Sequence, residues 1–313
     1  MNGTMRAVRG HRRGGPEELV YEVAPKPVPG HGDVLVEVRA ASVTPGELDW
    51  DATWTDAFDG GMPRLPVVPS KEVSGVVTEL GHGVTEFRPG EAVYGLIPFT
   101  RDGAAAEYVT VPAAALAPKP GSIDHERAAA LPLAGLTAWQ ALVLHAGLTA
   151  GQRVLVHGGA GGVGSFAVQI AAALGAEVTA TASAGDVDFV GGLGAETVID
   201  YAGQRFEDEV KDADVVLDTV GGDTRDRSWR VLRPGGVLVT VVEPVTPPEG
   251  VDARAVFFVV EPDRAGLEEL TGLVDDGGLI PQVDRILPLE SAPGAYAALE
   301  REHRRGKIVL RVS

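Results

Sequence analysis

The sequence predicts an α/β protein in which a doubly wound parallel sheet is joined to a second, β-rich domain. Three observations predict it. The apolar run Val154-Leu155-Val156 leads straight into Gly158-Gly159-Ala160-Gly161-Gly162-Val163-Gly164, and that loop opens onto a helix with apolar residues at Val163, Ala167, Ile170, Ala171 and Leu174. After Pro118-Lys119-Pro120-Gly121, strands and helices alternate, the pattern of a parallel sheet. From Met5 to about Gly121 the chain instead shows short alternating runs broken by Pro and Gly, such as Val34–Val38, Val73–Val77 and Ala92–Gly95, which read as antiparallel strands.

The elements follow in order. Asp124 can cap a helix that runs through Ala128–Leu144. Strands are expected at Arg153–His157, Glu177–Ala182, Thr197–Asp200, Asp214–Asp218, Val237–Val242 and Ala255–Val260, enough for a full doubly wound sheet. A helix over Asp263–Asp275, a strand over Gln282–Leu287, a helix over Ser291–Glu302 and a strand over Lys307–Arg311 then return to complete the first domain. The expected boundaries are 1–121 and 262–313 for the β-rich domain and 122–261 for the sheet domain. A chain of 313 residues makes two domains the default, because single cores seldom grow past about 250–300 residues.

Composition narrows the function. A net charge of −17 and a pI near 4.8 lack the clustered cations that nucleic acid needs. With no cysteine there is no disulfide, thiolate nucleophile or Cys-based zinc site. The basic run Arg6–Arg13 is not followed by an apolar stretch, and no apolar segment is long enough to span a bilayer, so a cytoplasmic location is the expectation. There is no G-x-S-x-G elbow and no H-x-x-x-H pair around His145 or His157.

Gly159, Gly161 and Gly164 satisfy G-x-G-x-x-G, the spacing of a tight turn, a close backbone approach to a pyrophosphate and a close helix–strand contact. The N–H groups at the helix start, from Gly162 and Val163 onward, favour a negatively charged ligand. With 41 glycines in the chain the spacing alone is weak, and the strand before and helix after it carry the reading.

In order, these and five further motifs resemble the medium-chain dehydrogenase/reductase superfamily in its zinc-independent quinone oxidoreductase-like branch. They are Phe87–Gly95, Gly103–Tyr108, Ala129–Trp139, Asp218-Thr219-Val220-Gly221-Gly222 and Gly306–Leu310. The resemblance spans nearly the whole chain. It implies a GroES-like β-barrel domain, a Rossmann domain, and hydride transfer from NADPH to a quinone or to the β-carbon of an enone.

The resemblance also implies site residues. Thr137 is placed at the nicotinamide, although a helix hydroxyl bonded to its own backbone is the plainer role. Thr219 and Val220 follow a strand and fall at its carboxyl edge; Val241, Phe257, Phe258 and Val259 do likewise, or are simply core. Ser183 ends the second strand and can hydrogen-bond a 2′-phosphate, while Tyr201 can stack on adenine. The basic residue that relatives carry after the serine is absent: the chain reads Ala184-Gly185-Asp186-Val187-Asp188, so NADPH is only slightly favoured over NADH. Where relatives have Gly-His-Glu this chain has Ser70-Lys71-Glu72, and no metal is expected.

Thr44, at a position often occupied by asparagine, can donate to a substrate carbonyl, and Lys71 can stabilise an enolate as a catalytic cation. Trp50, Trp54 and Phe58 suit a flat, apolar substrate pocket or pack a loop onto the barrel. The expected activity is therefore NAD(P)H-dependent reduction of a quinone or α,β-unsaturated carbonyl on a small molecule, by a homodimer. A non-redox reaction on the same fold, such as cyclisation or elimination, and nucleotide binding without turnover are the alternatives.

Overall fold

The computed structural model describes residues 3–58, 61–302 and 305–313, the side chain of Glu300 excepted. The chain divides into two compact units. One comprises residues 1–133, 261–275 and 281–313, and the other residues 134–260 and 276–280. The first unit thus runs past Gly121 to include the segment around Asp124.

Seven strands open the first unit: β1 (Thr4–Gly10), β2 (Leu19–Pro25), β3 (Asp33–Val43), β4 (Glu72–Leu80), β5 (Ala92–Leu96), β6 (Tyr108–Pro112) and β7 (Leu116–Pro118). β1 and β2 form an antiparallel pair. The long β3 pairs antiparallel with both β4 and β6, and its valines Val34, Val36 and Val38 are fully buried. Each such side chain contributes about 1.5–3 kcal/mol relative to exposure.

The helix expected over Ala128–Leu144 is interrupted. Asp124 caps His125–Ala129 by accepting from the backbone N–H of Arg127 at 2.8 Å. A second helix starts at Pro132, which has no N–H to continue the first, and a wider π turn over Gln140–His145 ends the segment.

The second unit holds β8 (Arg153–Val156), β9 (Glu177–Ala182), β10 (Thr197–Asp200), β11 (Ala213–Asp218), β12 (Leu232–Thr240) and β13 (Ala253–Phe257). Their spatial order is β10-β9-β8-β11-β12-β13 and every pair is parallel. Order therefore reverses between β8 and β11, the switch point at which ligands bind a doubly wound sheet. β12 begins five residues earlier than the apolar run suggests, through Pro234-Gly235-Gly236, and β13 ends before Phe258.

The return segment supplies helix Arg264–Asp275, β14 (Val283–Pro288), helix Ala292–Arg301 and β15 (Lys307–Arg311). β15 pairs antiparallel with β3 and parallel with β14, so the last strand completes the first unit's sheet. One core joins both ends of the chain: Val43, Val73, Phe87 and Ile97 pack with Leu289, Tyr296, Ile308 and Leu310. Among the described residues no helix is long and apolar enough to cross a membrane.

Candidate functional site

In the second unit, β8 ends at Val156, His157 follows it, and the chain turns at Gly158, whose φ of +72° is left-handed. That glycine, rather than Gly159, makes the tight turn. A Cβ on Gly159 would lie 2.9 Å from Val190 and 3.0 Å from Ala180, so its task is close packing on β9. Gly161 is the N-cap of helix Gly162–Ala173 and is exposed, and, having no side chain, leaves the first-turn N–H groups of Gly162 and Val163 without an N-cap hydrogen bond. Those donors and the helix dipole form an anion cradle. A Cβ on Gly164 would sit 2.0 Å from the Gly158 carbonyl oxygen, which fixes the helix tightly beneath the loop. A dinucleotide pyrophosphate fits this cradle.

A buried network holds the loop. Ser228 Oγ donates to the Thr224 carbonyl at 2.7 Å, so it accepts from Nε2–H of His157 at 2.9 Å. Nδ1 is then the acceptor for Thr181 Oγ1, 3.2 Å away, and Thr181 in turn accepts from the Gly158 N–H at 3.1 Å. Fully buried, with its ring edge-on to Phe206, His157 is pushed down to about 4 by desolvation and stays neutral.

The remaining strand ends line the same carboxyl edge. Asp218 Oδ1 accepts from the N–H groups of Val220 (3.0 Å) and Gly221 (2.8 Å), and Oδ2 accepts from Thr240 Oγ1 (2.8 Å), which pins the turn bearing Thr219. Thr219 Oγ1 donates to the His157 carbonyl at 2.8 Å. Val220, Tyr201, Phe257 and Val259 are exposed and Val241 is half-buried. Phe258 packs on the His145 ring, with centroids 4.3 Å apart. Ser183 follows β9, and Thr137 is buried in helix Pro132–Trp139.

The first unit gathers a second group of residues. Lys307 Nζ lies 2.5 Å from Glu72 Oε2 and donates to Thr44 Oγ1 at 2.9 Å. Thr44 donates to the same Glu72 oxygen at 3.2 Å, and Leu133 N–H reaches Oε1 at 3.0 Å. Burial pushes the Glu72 carboxyl up, and Lys307 pulls it back toward the ionised form. Thr44 is the least buried of the three, at 8% exposure against 5% and 0%.

Lys71 does not present a cation as expected. It is 1% exposed and its Nζ donates to the Arg101 carbonyl. Ser70, with φ of +74°, directs the chain here; its N–H donates to Glu47 Oε1 at 2.6 Å and its hydroxyl to the Ser42 carbonyl at 2.8 Å. Desolvation pulls Lys71 down to about 8, with the charge of Glu47 opposing. It is a buried structural lysine.

Trp54 is also displaced from the expected pocket. It is 2% exposed within the core, and its Nε1 donates to the Leu48 carbonyl at 2.7 Å. Trp50 and Phe58 instead meet Phe99 edge-on, at 5.3 Å and 6.0 Å between centroids, with Phe58 largely exposed. Neither Phe99 nor Lys307 stands out as a site residue in the sequence. The available signal for Lys307 is a charge heading the buried strand Ile308-Val309-Leu310.

A nucleotide-type Rossmann sheet and a β-rich unit interrupted by it define a dehydrogenase of the medium-chain class. Residues 30–121 match the alcohol dehydrogenase GroES-like domain and residues 193–310 the zinc-binding dehydrogenase family. The mitochondrial NAD(P)H oxidoreductase of Danio rerio is 32% identical over 327 residues, covering 90% of this chain and 84% of its own. The chloroplastic NADPH-dependent alkenal/one oxidoreductase of Arabidopsis thaliana is 35% identical over 287 residues, covering 88% and 71%. The solved quinone oxidoreductase of Coxiella burnetii superposes with a TM-score of 0.88 at 31% identity, over 99% of this chain and 100% of that one.

The chain belongs to the medium-chain dehydrogenase/reductase superfamily, in its quinone oxidoreductase-like branch. It is an NAD(P)H-type oxidoreductase. Two of these relatives carry organelle names, so the cytoplasmic expectation rests on the sequence alone. The zinc that one family name implies does not fit the donors present. The chain has no cysteine, Lys71 is buried against a carbonyl, and no group of three His, Asp or Glu suited to a metal occurs among the described residues.

Proposed function

We propose that this oxidoreductase reduces a quinone or an α,β-unsaturated carbonyl compound by direct hydride transfer without zinc. The observation that carries the reading is the Thr44 hydroxyl held between Lys307 and Glu72. When bound, the nicotinamide dinucleotide supplies a hydride. In conjugate reduction the protein then has to stabilise negative charge growing on one oxygen, a task for a hydrogen-bond donor with a nearby cation. Thr44 can turn its proton from Glu72 to that oxygen, because Glu72 keeps Lys307 and the Leu133 N–H. Lys307, donating to the same hydroxyl oxygen, makes it a stronger donor. The carbon or oxygen that still lacks a proton takes it from solvent.

On this reading Trp50, Phe58 and Phe99 form an aromatic wall that suits a flat, conjugated acceptor. The cofactor rests on Gly161, Gly162, Val163 and Gly164, with Thr137, Thr219, Val220, Val241, Phe257, Phe258, Val259 and Tyr201 along its length. A homodimer is part of the proposal, since β13 ends the parallel sheet and one side of it pairs with no strand among the described residues. The test is reduced-dinucleotide consumption with a panel of enones and quinones. Equimolar reduced product is expected; tight dinucleotide binding with no turnover of any acceptor would instead support the non-redox readings.

A further inference from the structure

Ser183 stands at the end of β9, where a doubly wound sheet distinguishes the 2′-hydroxyl of NADH from the 2′-phosphate of NADPH. Taken alone, a serine there suits a phosphate. In the fold, however, Ser183 Oγ donates its single proton to Asp186 Oδ2 at 2.6 Å, a short charge-assisted bond. Asp186 is 2% exposed, while Ser183 remains partly open. What Ser183 offers outward is therefore lone pairs. A ribose hydroxyl can donate into them, whereas a phosphate needs donors and meets an acceptor backed by a carboxylate.

The local sequence adds no positive charge. Between Ser183 and Val190 the only charged residues are Asp186 and Asp188. Gly185 is exposed, with nothing within 4 Å of where its Cβ would be. The neighbouring strand end is in register, Asp200 beside Ala182, and places the exposed Tyr201 next to Ser183. The cation that follows, Arg205, is already paired with Glu207 at 2.7 Å and Asp208 at 3.8 Å.

Resting on the assignment of this unit as the dinucleotide site, we infer that the chain selects NADH over NADPH. Asp186 is the positioning residue that makes Ser183 an acceptor for the ribose 2′-hydroxyl. The 2′-hydroxyl gains one neutral hydrogen bond to Ser183 while the 2′-phosphate meets the Asp186 charge, so the preference is on the order of tenfold or more in Kd.

Fluorescence titration with NADH and NADPH at one ionic strength, on the wild-type chain, Asp186→Asn, Gly185→Arg and Gly161→Leu, tests it. Wild type should bind NADH at least about tenfold more tightly. Asp186→Asn, which can donate to Ser183 and free its proton, should lower the ratio, and Gly185→Arg should lower it by tightening NADPH alone. Equal or tighter NADPH binding by wild type, or an Asp186→Asn variant that weakens both cofactors equally, overturns the preference. If neither cofactor binds, or Gly161→Leu leaves both affinities unchanged, the dinucleotide assignment itself fails and the inference falls with it.

Discussion

Lys307 donates to Thr44 at 2.9 Å because the antiparallel pairing of β15 with β3 sets Ile308 opposite Val43 and so brings Lys307, one residue earlier, beside Thr44, the first residue past β3. The last strand of the chain thus delivers a cation to a hydroxyl set by the third. Thr44→Val should lower kcat/KM for an enone or quinone by about a hundredfold with little change in dinucleotide Kd. Thr44→Ser should recover most of the rate. Equal rates for the valine and wild-type chains would remove Thr44 from the chemistry.

Removing the cation should act mainly on stability. Lys307→Met leaves Glu72, which is fully buried, without its ion-pair partner, at a cost of about 3–5 kcal/mol. Urea titration measures this directly. In the double variant Lys307→Met, Glu72→Gln most of the loss should return, because the neutral amide no longer needs a cation; a double variant as unstable as the single one argues against the pair.

Much of this was legible in the chain. The parallel sheet could be read because β8 and β11 carry continuous apolar runs bounded by turns, and a return strand could be read at Lys307–Arg311. The aromatic loop could not. Trp50, Trp54 and Phe58 recur every four residues, which brings similar side chains close without saying which one faces inward. The short helix Asp51–Trp54 settles it by burying Trp54, and Phe99 joins the other two from a distant segment. Lys71 was misleading for a related reason: the left-handed Ser70, a three-dimensional constraint, turns the local chain so that the lysine is enclosed.

Those aromatic residues should separate experimentally. Trp54→Ala should cost about 3–5 kcal/mol as a core truncation. Phe58→Ala, at an exposed position, should change stability by no more than about 0.5 kcal/mol while raising KM for apolar acceptors. Chemical denaturation and steady-state kinetics on both variants check the assignment, and a Phe58→Ala chain with unaltered KM across the panel would exclude the aromatic wall from substrate binding.

Two glycines of one loop should fail differently. Gly164→Ala forces a Cβ to within 2.0 Å of a backbone oxygen and should destabilise the fold by about 1–3 kcal/mol. A Cβ on Gly161 would meet only the Gly158 oxygen, at 3.3 Å, so the Gly161→Leu chain should fold and lose the dinucleotide. Thermal melting without ligand, paired with cofactor titration, reads the two effects apart.

His157 makes the loop's stability sensitive to acid. The unfolded chain binds a proton near 6.5, the ordinary histidine value, whereas burial holds the folded ring at about 4. Between those values the unfolded state carries more protons, so the stabilising effect is complete above about 6.5 and is lost as pH falls through about 4. A shift of this size corresponds to about 3 kcal/mol. Protonation would also put a hydrogen on Nδ1, against Thr181, and Thr181 would have to turn its own proton away while it holds the Gly158 N–H. Urea unfolding at pH 7, 5.5 and 4.5 should show this decline, and His157→Phe should flatten it even though its stability at pH 7 is lower. An identical slope in the two chains would assign the acid sensitivity to the carboxylates instead, of which Glu207, held down to about 2 against burial by a backbone N–H and by Arg227 and Arg205, acts at lower pH.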